Sequence, residues 1–263
     1  MSARRGIPAG RAATRLLIAL AAATAGVAVS APQRTAAETR VLVAPFGQVS
    51  PVGALFAVTP SGRLGAHFCT ASVVNSAAGD LLLTAAHCLR EHAATRLAFV
   101  PGYRAGHDPD GVWRVTGVVV DQSWQTDADP DDDFAFLTVR DPGRRGSLET
   151  LTGAEAIAVG VPAGLRVEVA GYPDTAAGLV TCSDTAGAFS ATQYQFRCAG
   201  FSDGTSGGPL LADVSPADGL DTVIGVIGGY QLGGDTAAVS YAARFGGQLG
   251  ALYQQALALA DRR

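Results

Sequence analysis

The chain has 263 residues, 48% of them hydrophobic and 16% charged, with a net charge of −4 and no lysine, so all 19 basic residues are arginines. This apolar content excludes a disordered chain, and scattered glycines without heptads exclude fibrous and coiled-coil classes. Residues 1–40 hold six arginines against one acid, Glu38. The remainder carries 13 arginines against 22 acids, a net −9 that repels phosphate and argues against a nucleic-acid partner.

Arg4, Arg5, Arg11 and Arg15 precede an apolar run over residues 16–29, and small residues follow, with candidate cleavage points after Ser30, Ala31 or Ala37. A basic stretch, a short apolar stretch and small residues form the pattern of a secretory signal peptide. The run is too short to span a bilayer comfortably, which disfavours the alternative of an uncleaved anchor. Residues 1–37 therefore read as a signal peptide with a short pro-segment. Residues 38–263 read as one exported, extracellular domain, monomeric and free of the membrane once the signal is removed. Export makes the cysteines informative. Cys69, Cys88, Cys182 and Cys198 are even in number, which in an oxidising compartment implies two disulfides; of the three pairings, the local one, Cys69–Cys88 with Cys182–Cys198, is expected. No two cysteines stand two to four residues apart, so zinc is not indicated.

Strands are predicted at 52–59, 71–74 and 81–84, the last running into Thr84-Ala-Ala-His87-Cys88. Small residues around a histidine hold its ring in a tight place. General-base work and a structural histidine beside a disulfide are the two readings of this motif. Strands at 96–100 and 112–121 follow, and Asp131-Asp-Asp-Phe-Ala135 opens another at 134–139. An aspartate leading straight into an apolar strand is placed for burial, where it needs a partner such as imidazole, and Asp133 is that residue. Asp131 and Asp132, with Asp127 and Asp129, read as a solvated acidic loop whose spacing matches no EF-hand. Further strands are predicted at 165–170, 179–182 and 193–198, before Gly204-Thr-Ser206-Gly-Gly-Pro-Leu210. Glycines on both sides of a serine permit a strained backbone that exposes the hydroxyl, and they let the N–H groups of Gly204 and Ser206 converge on an oxyanion. An ordinary glycine- and serine-rich turn is the bland alternative. After strands at 223–230 and 237–244, residues Leu249, Leu252, Tyr253, Ala256, Leu257 and Ala260 recur with the period of a helix bearing one apolar face. Many short strands closed by a single helix point to an all-β protein of barrels or sandwiches.

Order along the chain separates two hydrolytic folds. Gly204-Thr-Ser-Gly-Gly208 formally satisfies the G-x-S-x-G elbow of α/β-hydrolases, but that fold needs a histidine after the serine. The four histidines here, His67, His87, His92 and His107, all precede Ser206. The observed order is histidine, aspartate, serine: His87, Asp133, Ser206.

On these motifs the chain resembles the trypsin/chymotrypsin-like serine peptidase family, its secreted bacterial members more than animal digestive enzymes. His67-Phe-Cys69 with Thr84-Ala-Ala-His87-Cys88 looks like the family's first disulfide and histidine loop, Asp133-Phe-Ala135 like its aspartate motif, and Ser206-Gly-Gly-Pro like its nucleophile loop. Gly225-Val-Ile-Gly-Gly-Tyr230 looks like one wall of its specificity pocket. The resemblance implies two six-stranded antiparallel β-barrels, over about 41–145 and 146–246, with a C-terminal helix over about 248–261. It implies peptide-bond hydrolysis by His87, Asp133 and Ser206, with Gly204 and Ser206 as the oxyanion hole, protein or peptide substrates, and no metal or organic cofactor. Gly200, Gly228 and Tyr230 fall where the primary pocket is expected. With no acid at Gly200 to bind arginine or lysine, and Ile227 near the place where glutamate-specific relatives carry a histidine, a small or medium apolar side chain is the expected substrate residue. The chain departs from the pattern at Thr205, an aspartate in trypsin-like members, and at Cys198, which lies eight residues before the nucleophile instead of four. A secreted, non-catalytic binding protein on the same fold is the alternative, because fold alone does not establish activity.

Overall fold

The computed structural model describes residues 39–41, 51–104, 106–212, 221–236 and 238–262. The arginine-rich start, the apolar run at 16–29 and the candidate cleavage points lie outside these residues. No helix among the described residues is long and apolar enough to cross a membrane.

After β1 (Thr39–Val41), the strands β2 (Val52–Val58), β3 (Leu64–Val74), β4 (Leu81–Thr84), β5 (Leu97–Pro101), β6 (Trp113–Val120) and β7 (Ala135–Arg140) form a closed antiparallel barrel in the order β2-β3-β4-β7-β6-β5. The chain crosses through the short β8 (Ala156–Ile157) into β9 (Leu165–Gly171), β10 (Val180–Ala188), β11 (Gln193–Phe196), β12 (Pro209–Ala212), β13 (Thr222–Ile227) and β14 (Ser240–Arg244). These last six close a second barrel, because β9 pairs with both β10 and β12 while β11, β14 and β13 complete the circuit. The strand β1 belongs to this second sheet: Thr39, Arg40 and Val41 register against Cys182, Thr181 and Val180.

Alternation along the strands explains both the barrels and their docking. In β4, Leu82 points into the first barrel with Leu55, Phe99 and Leu137. Its neighbours Leu81 and Leu83 are also fully buried, because they face Val223 and Val226 of the second barrel and the C-terminal helix, Gly247–Ala260. A strand buried on both faces reads as a continuous apolar run, as Leu81-Leu-Leu does. A second seam joins Val52, Ala54, Phe56 and Val100 to Ala170 and Tyr172. The helix buries Leu249, Leu252, Ala256 and Ala260, with Tyr253 and Leu257 half-buried.

Several elements go beyond the sequence expectation. β3 begins at Leu64 and β10 continues to Ala188, through polar and small residues without a β signature. Short helices at Gln122–Asp127 and Leu148–Thr152 were not indicated by periodicity, being only one or two turns long and set by Asp121 and Ser147 as side-chain caps. Residues 228–230 do not extend β13, since the chain turns at Gly229 (φ +76°) into a kinked turn, Tyr230–Gly233, whose central residues are not helical.

Candidate active site

His87 sits on a 3-10 turn, Ala86–Leu89, immediately after β4. Disulfides join Cys69 to Cys88 and Cys182 to Cys198, so the turn is anchored to β3 by the residue next to His87. Trp124 packs beneath it against Ala86 and Ala135, with the Arg90 guanidinium 4.6 Å from the indole centre.

Asp133, 0% exposed, lies at the entry to β7. A carboxylate out of water is tolerated only when its lone pairs are met. Its Oδ1 accepts from the His87 backbone N–H at 2.8 Å, and its Oδ2 accepts from the Gly229 N–H at 2.8 Å and from His87 Nδ1 at 2.7 Å. A carboxylate at Nδ1 assigns the proton to that nitrogen and leaves Nε2 as the basic one. The His87 side chain keeps 12% exposure, enough to present that nitrogen to the cleft that it lines together with Ser206.

The expectation of a solvated acidic loop before Asp133 is corrected. Asp132 is buried and accepts from Ser123 Oγ at 2.5 Å, and Asp131 is half-buried and accepts from Gln193 Nε2 at 2.8 Å. Burial pushes the Asp132 carboxyl above its usual range against the Ser123 hydrogen bond, and the charges of Asp121, Asp129 and Asp131 add to the rise.

The nucleophile loop hangs on Thr70 of the first barrel. Thr70 N donates to the Ser206 carbonyl at 2.7 Å, and Thr70 Oγ1 donates to the Gly204 carbonyl at 2.9 Å while accepting from Tyr172 N at 2.9 Å. The Thr70 carbonyl accepts from Thr84 Oγ1 at 2.7 Å. At Gly207 (φ +80°) a Cβ would stand 2.3 Å from that same carbonyl, so only glycine lets the loop close on β3. The Asp203 carbonyl accepts from Asp174 N at 2.8 Å, which directs the Gly204 N–H to the opposite side of a trans peptide. The Thr205 carbonyl likewise accepts from Gly208 N, so the Ser206 N–H also points away from its own loop partner. Thr205 is 3% exposed, packs against Gly171 and donates its hydroxyl to the Ser202 carbonyl at 2.7 Å.

The cleft holds about 620 Å³. None of the three residues expected at its specificity end lines it. Gly200 is exposed, Gly228 lies behind Asp133, where a Cβ would be 2.8 Å from Oδ2, and Tyr230 packs on Phe189 and Tyr241. Phe201, Ser202, Ile227, Leu232, Gly233 and Ser240 supply the wall instead. The turn at Tyr230–Gly233 accounts for Tyr230, because it carries that ring away from the cleft and leaves the exposed Leu232 beside it; Gln231 and Leu232 both adopt φ above +50°. Glu91, Asp203 and Asp235 are exposed around the rim. Among the described residues, the one group of metal-type donors within mutual reach is Cys69, His87 and Cys88, and both sulfurs there are committed to a disulfide.

Residues 69–215 match the family model of the trypsin-like peptidase domain, more than half of the chain. No curated protein matches. The fold is similar to that of the protease Anisep from Arthrobacter nicotinovorans, 24% identical over 80% of this chain and 97% of that one, with a TM-score of 0.66. It is similar to the thermostable serine protease AL20 from an extremophilic microorganism, 25% identical over 80% and 98% of the two chains, with a TM-score of 0.65. A Glu endopeptidase, 16% identical over 84% and 96% with a TM-score of 0.63, shares the fold. With two closed six-stranded barrels, a C-terminal helix and a family match spanning the histidine, aspartate and serine loops, the chain belongs to the trypsin-like peptidase family.

Proposed function

We propose that the protein is an exported serine endopeptidase in which Ser206 is the nucleophile, His87 the general base and then acid, and Asp133 the group that orients and stabilises the imidazolium. The observation that carries the reading is the His87 Nδ1–Asp133 Oδ2 contact of 2.7 Å on a fully buried carboxylate, in the cleft that Ser206 also lines. Ser206 Oγ attacks the scissile carbonyl as its proton passes to His87 Nε2. The N–H groups of Gly204 and Ser206 stabilise the tetrahedral oxyanion, each such donor being worth about 3–4 kcal/mol. Collapse returns the proton to the leaving amine and leaves an acyl-enzyme at Ser206, which water hydrolyses by the same relay.

Phe201 and Ile227 with the small hydroxyl residues Ser202 and Ser240 favour a small or medium apolar substrate side chain. The acidic rim of Glu91, Asp203 and Asp235 disfavours glutamate or aspartate there. Two disulfides and the signal-like start support an extracellular location. An organophosphonate serine probe followed by peptide-library profiling tests the reading: the probe labels the parent and not Ser206→Ala, and cleavage follows apolar residues. An unlabelled, folded parent would leave the non-catalytic binding protein in its place.

Arg40-Val41 stands about where trypsin-like zymogens are cut to release an apolar N-terminus, and activation is expected to be independent of a free amine at Val41. In trypsin-like zymogens the new ammonium pairs with the aspartate just before the nucleophile; here that residue is Thr205, whose hydroxyl is already engaged. A buried ammonium without a charged partner costs several kcal/mol. Asp203 is exposed, and the Val41 backbone is held in register with Val180. Forms beginning at Ala31, Glu38 and Val41 therefore show the same kcat on one peptide. Activity confined to the Val41 form, and silenced by Asp203→Asn, is the opposite result.

A further inference from the structure

We infer that Gln193 is a positioning residue for the His87–Asp133 pair, its buried amide tying the loop that leads into Asp133 to the backbone segment that supports the Asp133 carboxylate; the inference rests on the peptidase reading above.

Gln193 opens β11 in the second barrel and is 3% exposed. A primary amide taken out of water is costly unless both ends are satisfied. Here Nε2 donates to the Pro130 carbonyl at 2.9 Å and to Asp131 Oδ1 at 2.8 Å, while Oε1 accepts from the Tyr230 N–H at 3.3 Å. Two acceptors at one end and one donor at the other permit a single orientation of the amide. A carboxylate, a thioether or a hydroxyl cannot reproduce it.

The partners at the two ends explain the role. Pro130 and Asp131 form the 3-10 turn Pro130–Asp132, which delivers the chain to Asp133 in the first barrel. Tyr230 directly follows Gly229, whose N–H donates to Asp133 Oδ2, the same oxygen that holds His87 Nδ1. The amide thus spans the two barrels and sets the carboxylate and one of its backbone donors relative to each other. Space is reserved for it. At Gly229 (φ +76°) a Cβ would lie 2.2 Å from Gln193 Oε1, so the missing side chain of that glycine is where the amide sits. The bond to Asp131 is charge-assisted, which makes this end the stronger tether. Loss of the tether lets the Pro130–Asp132 turn and Gly229 move independently, and Asp133 Oδ2 then meets its two donors imperfectly.

The test compares Gln193→Met and Gln193→Glu with Gln195→Met, a control two residues along the same strand whose Nε2 bonds the Tyr241 hydroxyl. Concentrations of competent sites are set by titration with the serine probe. Both Gln193 variants are expected to lose roughly 10- to 100-fold in kcat, the scale of a small misplacement of a reacting group. KM should stay within about threefold of the parent, because the substrate contacts are retained. Proton NMR supplies a readout independent of hydrolysis. The deshielded Nδ1 proton of His87, held against Asp133, moves upfield and broadens in both Gln193 variants and stays in place in Gln195→Met. An unchanged kcat and an unmoved resonance in a folded Gln193 variant would overturn the inference, as would a loss of activity with the resonance unmoved. Should Gln193→Met not fold, the near-isosteric Gln193→Glu carries the same comparison. A parent inactive on all peptides, but whose histidine resonance still responds to Gln193, would sink the peptidase reading and leave the positioning role standing.

Discussion

Ser206→Ala is expected to lower kcat/KM for peptide cleavage by roughly 10⁵- to 10⁶-fold, with thermal stability unchanged. The Ser206 backbone makes the contact to Thr70, and the substitution leaves it intact. The variant therefore loses chemistry and keeps its architecture. His87→Ala should cost nearly as much, and the double variant little more, because the base has no function without the nucleophile. The other histidines separate position from chemistry. His107 bridges to Arg104 through its backbone, away from the cleft, and His107→Ala keeps full activity. His92 stacks on Phe68 at 4.4 Å between ring centres on the cleft wall, so His92→Ala raises KM with kcat preserved. Steady-state kinetics on one peptide decide the matter. A loss in His107→Ala equal to that in His87→Ala would remove His87 from its assigned role.

The second large effect lies away from the cleft. Glu155 stands at the crossing between the barrels. Its backbone N–H donates to the Val73 carbonyl and its own carbonyl accepts from Asn75 N, while Ala156 N bonds the Asp221 carbonyl on the other side. Its side chain is 1% exposed, and neither carboxyl oxygen has a hydrogen-bond partner. The Ser72 and Thr222 hydroxyls, one from each barrel, are buried and unpartnered as well. Burial raises the Glu155 pKa from 4.5 to about 8, with the Ser72 dipole opposing the rise and the Asp221 charge adding to it. An acid whose pKa is raised on folding keeps a proton that the unfolded chain releases. Its penalty is absent below pH 4.5, grows as pH rises, and is complete above about pH 8. At 1.36 kcal/mol per pH unit the penalty at pH 7 is roughly 3 kcal/mol. Glu155→Gln removes it, and the two orphan hydroxyls offer acceptors to the new amide. Urea midpoints measured at pH 4.5, 6, 7 and 8 should coincide for the two proteins at the acid end and diverge in favour of Glu155→Gln toward pH 8. Parallel curves would show that the carboxyl finds a partner when the protein is folded.

Where the sequence is legible, the physical demand is local. The histidine and serine loops announce themselves because close backbone approach requires small residues next to the reactive one, as Gly207 does against the Thr70 carbonyl. The aspartate is readable from its place at the head of an apolar strand. The burial of Asp132 is not, since it depends on Ser123, which arrives from a separate helix. The pocket wall escapes for a similar reason. Leu232 and Gly233 reach it from a turn with Gln231 and Leu232 in the left-handed region, a conformation that no pattern in their side chains demands. Glu155 leaves a faint mark as a single acid inside an apolar stretch, and Gln193, with Thr192 and Gln195 close by, leaves none. Only the partners found across the barrel seam distinguish the satisfied amide from the unsatisfied acid.

The grip of Thr70 on the nucleophile loop makes the candidate site a property of the docked pair of barrels. The serine loop grows from the second barrel, yet its carbonyls are held by a threonine of the first, and the histidine and aspartate also reside there. A chain with only one barrel formed therefore has an incomplete set of reactive groups, and a chain with both barrels formed but undocked has a serine loop without its clasp. On the proposed peptidase reading, proteolytic competence therefore requires both barrels formed and docked, since the serine loop and the residue that holds it belong to different halves.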